Sequence, residues 1–201
     1  YPVPEGIEVP NLMPYQLRAW NGDHHLAAEV LRLKEAHGLT CAIETGTCLG
    51  STTLWLSDAF DFVWTFEIHG PYLAIAHKRF GDIENIESLL CDSVEGLKRT
   101  MVDFNAPFLM WADAHWNEHC PLLDELGAIA AAKVKPCLIV HDFQVPGTDF
   151  GFDSMPDGRP FNLELIAGHL DRIYGEGKWR HSYPTEVAGA MRGWISIEPC
   201  S

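Results

Sequence analysis

Apolar positions first fall at helical spacing. Leu26, Ala27, Val30, Leu31 and Leu33 mark a helix over 24–37, and Gly38 ends it. Beyond Gly38 the periodicity alternates. Short apolar or β-branched runs predict strands over 41–45, 62–68, 86–91, 107–112 and 137–140. Between and after them helical spacing returns, over 51–59, 71–80, 93–100, 122–132 and 161–174. Pro71 suits the first turn of its helix, and Asp92 or Ser93 suits the cap of the helix at 93. Two further strands, over 179–183 and 191–197, flank a turn-rich stretch near the end of the chain.

Five successive strand–helix units predict an α/β fold with a doubly wound, mostly parallel, seven-stranded sheet. The last two strands predict an antiparallel C-terminal hairpin at its edge. Residues 1–22 read as an irregular N-terminal extension and residues 23–201 as a single domain, without internal repeats.

Composition narrows the partners. The 201 residues are 47% hydrophobic and 21% charged, which excludes global disorder. Acidic residues number 28 and basic residues 14, a net charge of −14. Such a surface repels nucleic-acid phosphates and anionic membranes, so neither is an expected partner. Cations, or small ligands held by backbone groups, fit better. Cys41, Cys48, Cys91, Cys120, Cys137 and Cys200 form no CxxC pair and no regular spacing. They read as reduced thiols of a cytoplasmic protein, with Cys41, Cys91 and Cys137 as small buried hydrophobes. No apolar run approaches a membrane span, and no secretory leader is read at the start.

In an open α/β sheet, ligands bind beyond the carboxyl ends of the strands. The residues there are Glu44-Thr45-Gly46-Thr47-Cys48-Leu49-Gly50-Ser51, then Glu67, Asp92-Ser93, Asp113-Ala114-His115-Trp116 and His141-Asp142. Nearly every strand ends in an acid or a histidine. The first loop is neither the GxGxxG fingerprint nor a phosphate-binding P-loop. Its glycines fit a sharp turn with close ligand approach, or a plain strand–helix turn. Glu67 can accept both hydroxyls of a ribose. Asp92-Ser93 reads an adenine edge or caps a helix. Cys48 lies at a helix N-terminus, where a thiol pKa can drop. His115 and His119 stand four apart, but Asn117 and Pro121 favour a loop over a shared helix face. Asp124-Glu125 reads as a solvated helix face. The long Gly- and Pro-rich stretch 144–160 reads as an acceptor lid.

Taken in order, Glu-x-Gly-x-x-x-Gly at 44–50, the acid Glu67, Cys91-Asp92-Ser93 and Asp113 resemble the class I S-adenosylmethionine-dependent methyltransferases. The likeness spans residues 24–197. It implies a Rossmann-like fold and S-adenosylmethionine as cofactor. The implied cofactor-binding residues are Glu44, Gly46, Thr47, Gly50, Ser51, Glu67, Asp92, Ser93, Asp113 and Trp116. Asp113 followed by His141-Asp142 further resembles the metal-dependent O-methyltransferases of the catechol and caffeoyl-coenzyme A type. Those hold a divalent cation with an Asp after strand four and an Asp-Asn pair after strand five. Here His and Asp replace that pair, which shifts the expected metal from Mg²⁺ toward Mn²⁺ or another softer ion. The segments DAHW, CPLLDEL, HDF and DFGFDS also resemble small bacterial and phage-type methyltransferase-like proteins.

The resemblance therefore implies Asp113, His141 and Asp142 as metal ligands. Asp113, His115 and His141 read as the catalytic residues, with His115 or His141, whichever is not a ligand, as general base, because no lysine directly follows Asp113 as it does in the catechol-type enzymes. The expected reaction is methyl transfer to an oxygen of a small-molecule acceptor, with a homodimer as the candidate assembly. A metal-dependent hydroxylase or hydrolase on the same fold, or a non-catalytic binding protein, are the alternatives; adenosylmethionine binding distinguishes the first pair.

Overall fold

The computed structural model describes residues 17–101, 104–115 and 119–200. Its elements alternate as β1 (Cys41–Thr45), α2 (Ser51–Ala59), β2 (Phe62–Glu67), α3 (Gly70–Phe80), β3 (Ile86–Leu90), α4 (Ser93–Met101), β4 (Phe108–Ala112), α5 (Leu122–Ile129), β5 (Cys137–His141) and α6 (Leu163–Tyr174). They are preceded by α1 (His24–His37) and followed by β6 (Trp179–Ser182) and β7 (Trp194–Pro199). The strands form one seven-stranded sheet in the order β3-β2-β1-β4-β5-β7-β6. β1 to β5 run parallel, and β7 lies antiparallel to both β5 and β6.

The three central strands β1, β4 and β5 are buried at every residue, as strands covered on both faces must be. Alternate side chains serve opposite layers. Ile43, Met110, Leu138 and Val140 pack with Leu97, Leu126, Ile166 and Leu170, from α4, α5 and α6. Ala42, Leu109, Trp111 and Ile139 pack with Leu26, Val30, Leu33 and Leu56, from α1 and α2. Asp23 caps α1, accepting from the N–H groups of His25 and Leu26, and Gly38 ends it in the left-handed region at φ +58°. Among the described residues no helix is long and apolar enough to cross a membrane.

Of the N-terminal extension, residues 1–16 lie outside the described residues. Ala19–Gly22 form a single 3₁₀ turn, in which Trp20 and Asn21 both take positive φ. Trp20 is buried edge-on to Trp55 and Trp111, with ring centroids 5.1 and 5.0 Å away. The last strand differs from the sequence expectation, beginning at Trp194 rather than 191. Residues 191–193 pair instead with Gly151 of the long loop, through Gly151 N–H to Met191 O and Gly193 N–H to Gly151 O. All six cysteines are free; Cys41 and Cys137 are buried, but Cys91 is half-buried at the edge of a cavity, not a core residue.

Gly96 shows how tightly α4 seats on the sheet. A Cβ there would lie 2.4 Å from the ring of Phe66, which is fully buried. Glycine to alanine inside a helix ordinarily stabilises by ~1 kcal/mol, whereas overpacking a rigid core costs ~1–3 kcal/mol. Gly96→Ala is therefore expected to lower stability, by ~1–2 kcal/mol in urea denaturation; a stabilised variant would show that Phe66 yields freely.

Candidate functional site

Connections from β1 and β4 leave in opposite directions along the sheet, so a crevice opens between their carboxyl ends. A cavity of about 370 Å³ occupies it. Gly46, Thr47, Cys48, Ser51, Glu67, Cys91, Ser93, Asp113, Ala114, His115, Asp142 and Asp153 are in its wall.

The loop after β1 is set by its neighbours. Gly46 has φ +87°, and a Cβ on it would come within 2.6 Å of the backbone oxygen of Asp113. Gly46 lines the cavity, but the close approach that requires glycine is that of the β4 loop. Gly50 does not line the cavity; at φ +74°, it leaves room for the ring of Phe80, 2.5 Å from a would-be Cβ. Cys48, also at positive φ, turns its N–H onto Glu67 Oε2 at 2.7 Å. His69 N–H donates to Glu67 Oε1 at 2.8 Å. Both carboxylate oxygens are thus fixed at the wall, each with accepting capacity left over. Burial raises the Glu67 pKa, against the pull of these N–H groups. Glu44, wholly buried, accepts from Thr53 and from Thr65 Oγ1 at 2.6 Å, and burial lifts it to about 8. The Cys48 thiol moves opposite to the helix-terminus expectation. Burial, with the charges of Glu67, Asp113 and Glu44, pushes it up to about 12. Ser51 Oγ donates to Leu17 O and accepts from Arg79.

After β3, Asp92 turns away from the cavity; its Oδ1 accepts from Val94 N–H, and its Oδ2 lies 3.3 Å from His119 Nε2. Ser93 is in the wall of the cavity, and its Oγ is buried without a hydrogen-bond partner. Glu125 corrects the reading of a solvated Asp124-Glu125 face: it is 1% exposed, and burial raises it to about 7.

At the other end of the cavity, side chains from three segments meet around Asp142, itself at φ +53°. His115 Nε2 lies 2.8 Å from Asp142 Oδ2 and 3.3 Å from Asp153 Oδ2. His141, 2% exposed behind the wall, has Nδ1 3.2 Å from Asp113 Oδ1 and 3.4 Å from Asp142 Oδ2. Arg192 pairs with both Asp142 and Asp153. Burial opposes the charge on each imidazole, but the surrounding carboxylates outweigh it. Asp142 and Asp153, with Asp113, raise His115 to about 10, and Asp142 and Asp113 raise His141 well above its ordinary value. Asp142 is driven well below the carboxylate range by His141 and His115, despite its burial. In this state both imidazoles hold a proton and act as donors rather than bases. His115 and His119 turn to different carboxylates and do not pair on one ligand.

Trp116 lies outside the described residues. Asp153 and Arg192 are site residues that the strand-end rule misses. Asp153 comes from the 144–160 loop, which is closed at its base by Gln144 N–H to Phe161 O and held over the site by Asp153 N–H to Asp142 O. Arg192 precedes an antiparallel strand, and such a strand starts on the edge where parallel strands end. That is the signal that finds it.

No family model matches the chain, and no curated protein matches it. Solved structures do match. The O-methyltransferase TomG of Streptomyces achromogenes, in complex with S-adenosylmethionine, superposes with a TM-score of 0.64 at 14% identity, over 88% of this chain and 80% of that one. An O-methyltransferase of Bacillus cereus in complex with S-adenosylhomocysteine gives 0.64 at 16% identity, over 90% and 84%. The N-terminal domain of EvdMO1 with bound S-adenosylhomocysteine gives 0.58 at 16% identity, over 87% and 81%. The chain therefore has the class I methyltransferase fold, with the antiparallel C-terminal hairpin expected from its sequence.

The His115 geometry fixes the sign of a pH effect. Its pKa is higher folded, about 10, than the ~6.5 of an unfolded chain. Its contribution to stability is therefore complete below pH ~6.5 and is lost as pH rises through 10. In metal-free protein, the stability gap between wild type and His115→Gln is expected to narrow steadily between those limits in denaturant titrations. A gap that widens would contradict the ion-paired imidazolium.

Proposed function

We propose that the chain is an S-adenosylmethionine-dependent methyltransferase acting on an oxygen of a small molecule. One observation carries this reading. A single cavity has in its wall a carboxylate fixed by two backbone N–H groups, Glu67, and a residue with a partnerless buried hydroxyl, Ser93, together with the ionisable cluster of Asp113, His115 and Asp142. The first pair fits a nucleoside and the second fits an acceptor hydroxyl. EvdMO1's N-terminal domain was also crystallised in the presence of S-adenosylhomocysteine and D-fucose, a small polyol, which supports a small-molecule acceptor.

In the transfer, the acceptor oxygen forms a bond to the methyl carbon as the sulfonium–methyl bond breaks. The thioether product leaves, and the acceptor proton passes to a base. Most of the rate gain would come from positioning. Glu67 would hold the ribose hydroxyls and Ser93 the base. Asp113, a carboxylate in the wall, is the group available to orient the acceptor hydroxyl and take its proton. His115 would donate to the acceptor rather than deprotonate it. The 144–160 loop, through Asp153, would exclude water from the acceptor end.

A divalent cation fits the donor set. Asp113, His141 and Asp142 offer atoms within 4.8 Å of one another, as do His115, Asp142 and Asp153. Arg192, paired with Asp142 and Asp153, and the two protonated imidazoles already balance the three carboxylates, so a cation would enter by displacing the imidazole protons. When bound, the ion would supply Lewis-acid stabilisation of the acceptor oxygen. A second reading, metal-dependent hydroxylation or hydrolysis, draws on the two imidazoles that converge on Asp142 Oδ2.

Two measurements test these assignments. Glu67→Ala is expected to weaken S-adenosylhomocysteine binding in calorimetry by ~1.5–3 kcal/mol, the size of hydrogen bonds to a charged group. Unchanged affinity would remove the ribose assignment, and a wild type that turns over with metal alone would favour the second reading. Wild type is also expected to bind Mn²⁺ in calorimetry and to show an anomalous peak between Asp113 and Asp142, both lost in Asp142→Ala. A site empty at millimolar Mn²⁺ would end the metal-assisted mechanism and leave cofactor binding standing.

A further inference from the structure

The turn ahead of α1 brings to the cavity a cation that the methyl transfer above does not use. Leu17 O accepts from Ser51 Oγ at 3.0 Å, and Trp20 N–H donates to Thr52 Oγ1 at 3.1 Å. Arg18 is thus held between two bonds to the first turn of α2. On its other side the turn is pinned by Asn21 O, which accepts from Ala190 N–H at 3.2 Å. The stem of Arg18 runs back along the turn, with Cδ 3.6 Å from where a Cβ on Gly22 would stand. Arg18, Asn21, Ser51 and Thr52 are all in the cavity wall.

The wall is otherwise acidic. It holds Glu44, Glu67, Asp113, Asp142 and Asp153, and Arg18 is the one arginine or lysine beside them among the described residues. Arg18 pairs with none of them; among the described residues its guanidinium makes no ion pair and no hydrogen bond. Thr52 Oγ1 accepts from Trp20, so its own hydrogen is left to give. Gly50 caps α2 without a side-chain acceptor, so the first N–H groups of that helix and the positive end of its dipole add to the same corner. Donors gather here without an acceptor.

We propose that Arg18 recognises the carboxylate at the amino-acid end of the cofactor. The inference rests on the cofactor reading above and deepens it. S-adenosylmethionine carries a sulfonium, an ammonium and a carboxylate. The two cations suit a wall of acids, whereas the carboxylate is repelled by them. A guanidinium offers two parallel N–H groups to a carboxylate, and its charge offsets that repulsion. Arg18 is exposed, so the pair is screened by water and weaker than a buried one. A carboxylate on the acceptor is the other source of the same chemistry, and ligands with and without an amino-acid end tell the two apart.

The test is calorimetry on the full chain with S-adenosylhomocysteine and with 5′-methylthioadenosine, which keeps the nucleoside and the thioether but has no amino-acid end. Arg18→Gln is expected to weaken S-adenosylhomocysteine ~5- to 10-fold and to leave 5′-methylthioadenosine within about twofold of wild type. Arg18→Lys, which keeps the charge and loses the fork, is expected to recover part of the loss. An Arg18→Gln variant that binds S-adenosylhomocysteine as tightly as wild type overturns this inference alone, and is the result expected if Arg18 serves the acceptor. An equal loss for both ligands also overturns it, because Arg18 would then act on the nucleoside or on the fold. A wild type that binds neither ligand overturns the cofactor reading and this inference with it.

Discussion

The carboxylate of Asp142 is the knot of this molecule. His115 from the loop after β4, His141 from the end of β5 and Arg192 from the approach to β7 all converge on it. A charge this deeply placed is tolerated only when its lone pairs are satisfied, and removing one member would leave the rest unpaired in a region of low dielectric. Asp153 shares two of the same partners, so the long loop is tied to the sheet by the same charges. This end of the cavity is thus a single electrostatic unit rather than a set of independent side chains.

The opposite end is built differently. Around Glu44 and Glu67 the carboxyl groups are matched to hydroxyls and backbone N–H groups, not to cations. The acids there keep elevated pKa values, while Asp142 and Asp153 are depressed. A neutral-leaning end suits a nucleoside and a charged end suits an ion or a proton transfer. One cavity holds both because β1 and β2 supply the first and β4 and β5 the second.

Much of this is legible in the sequence. β1, β4 and β5 are covered on both faces, so each reads as a short apolar run whatever packs on it. Parallel strands finish on one edge, and that rule alone brings Gly46, Glu67, Ser93, Asp113 and Asp142 together. Residues whose role depends on packing between distant segments are not legible. The reason for Gly46 lies in the backbone at Asp113, and that for Gly50 in the ring of Phe80. Glu125 looks solvated because its neighbour Asp124 is, and only the seating of α5 against α4 buries it. The pKa of Cys48 follows from desolvation, which outweighs the helix-terminus effect that its position alone suggests.

The loop from Gln144 to Phe161 is closed at its own base by a backbone hydrogen bond. Gly151 and Asp153 tie its middle to the sheet, whereas a Cβ at Gly147 or Gly158 would meet nothing within 4 Å. The entropy of closing a flexible loop rises by only ~0.6 kcal/mol for each doubling of its length. Insertions toward its tips, around Gly147 or Gly158, would therefore tax folding lightly while reshaping the end of the cavity beside Asp153. A longer loop there would change what the cavity admits beside Asp153 while leaving the Asp142 cluster and the Glu44–Glu67 end untouched.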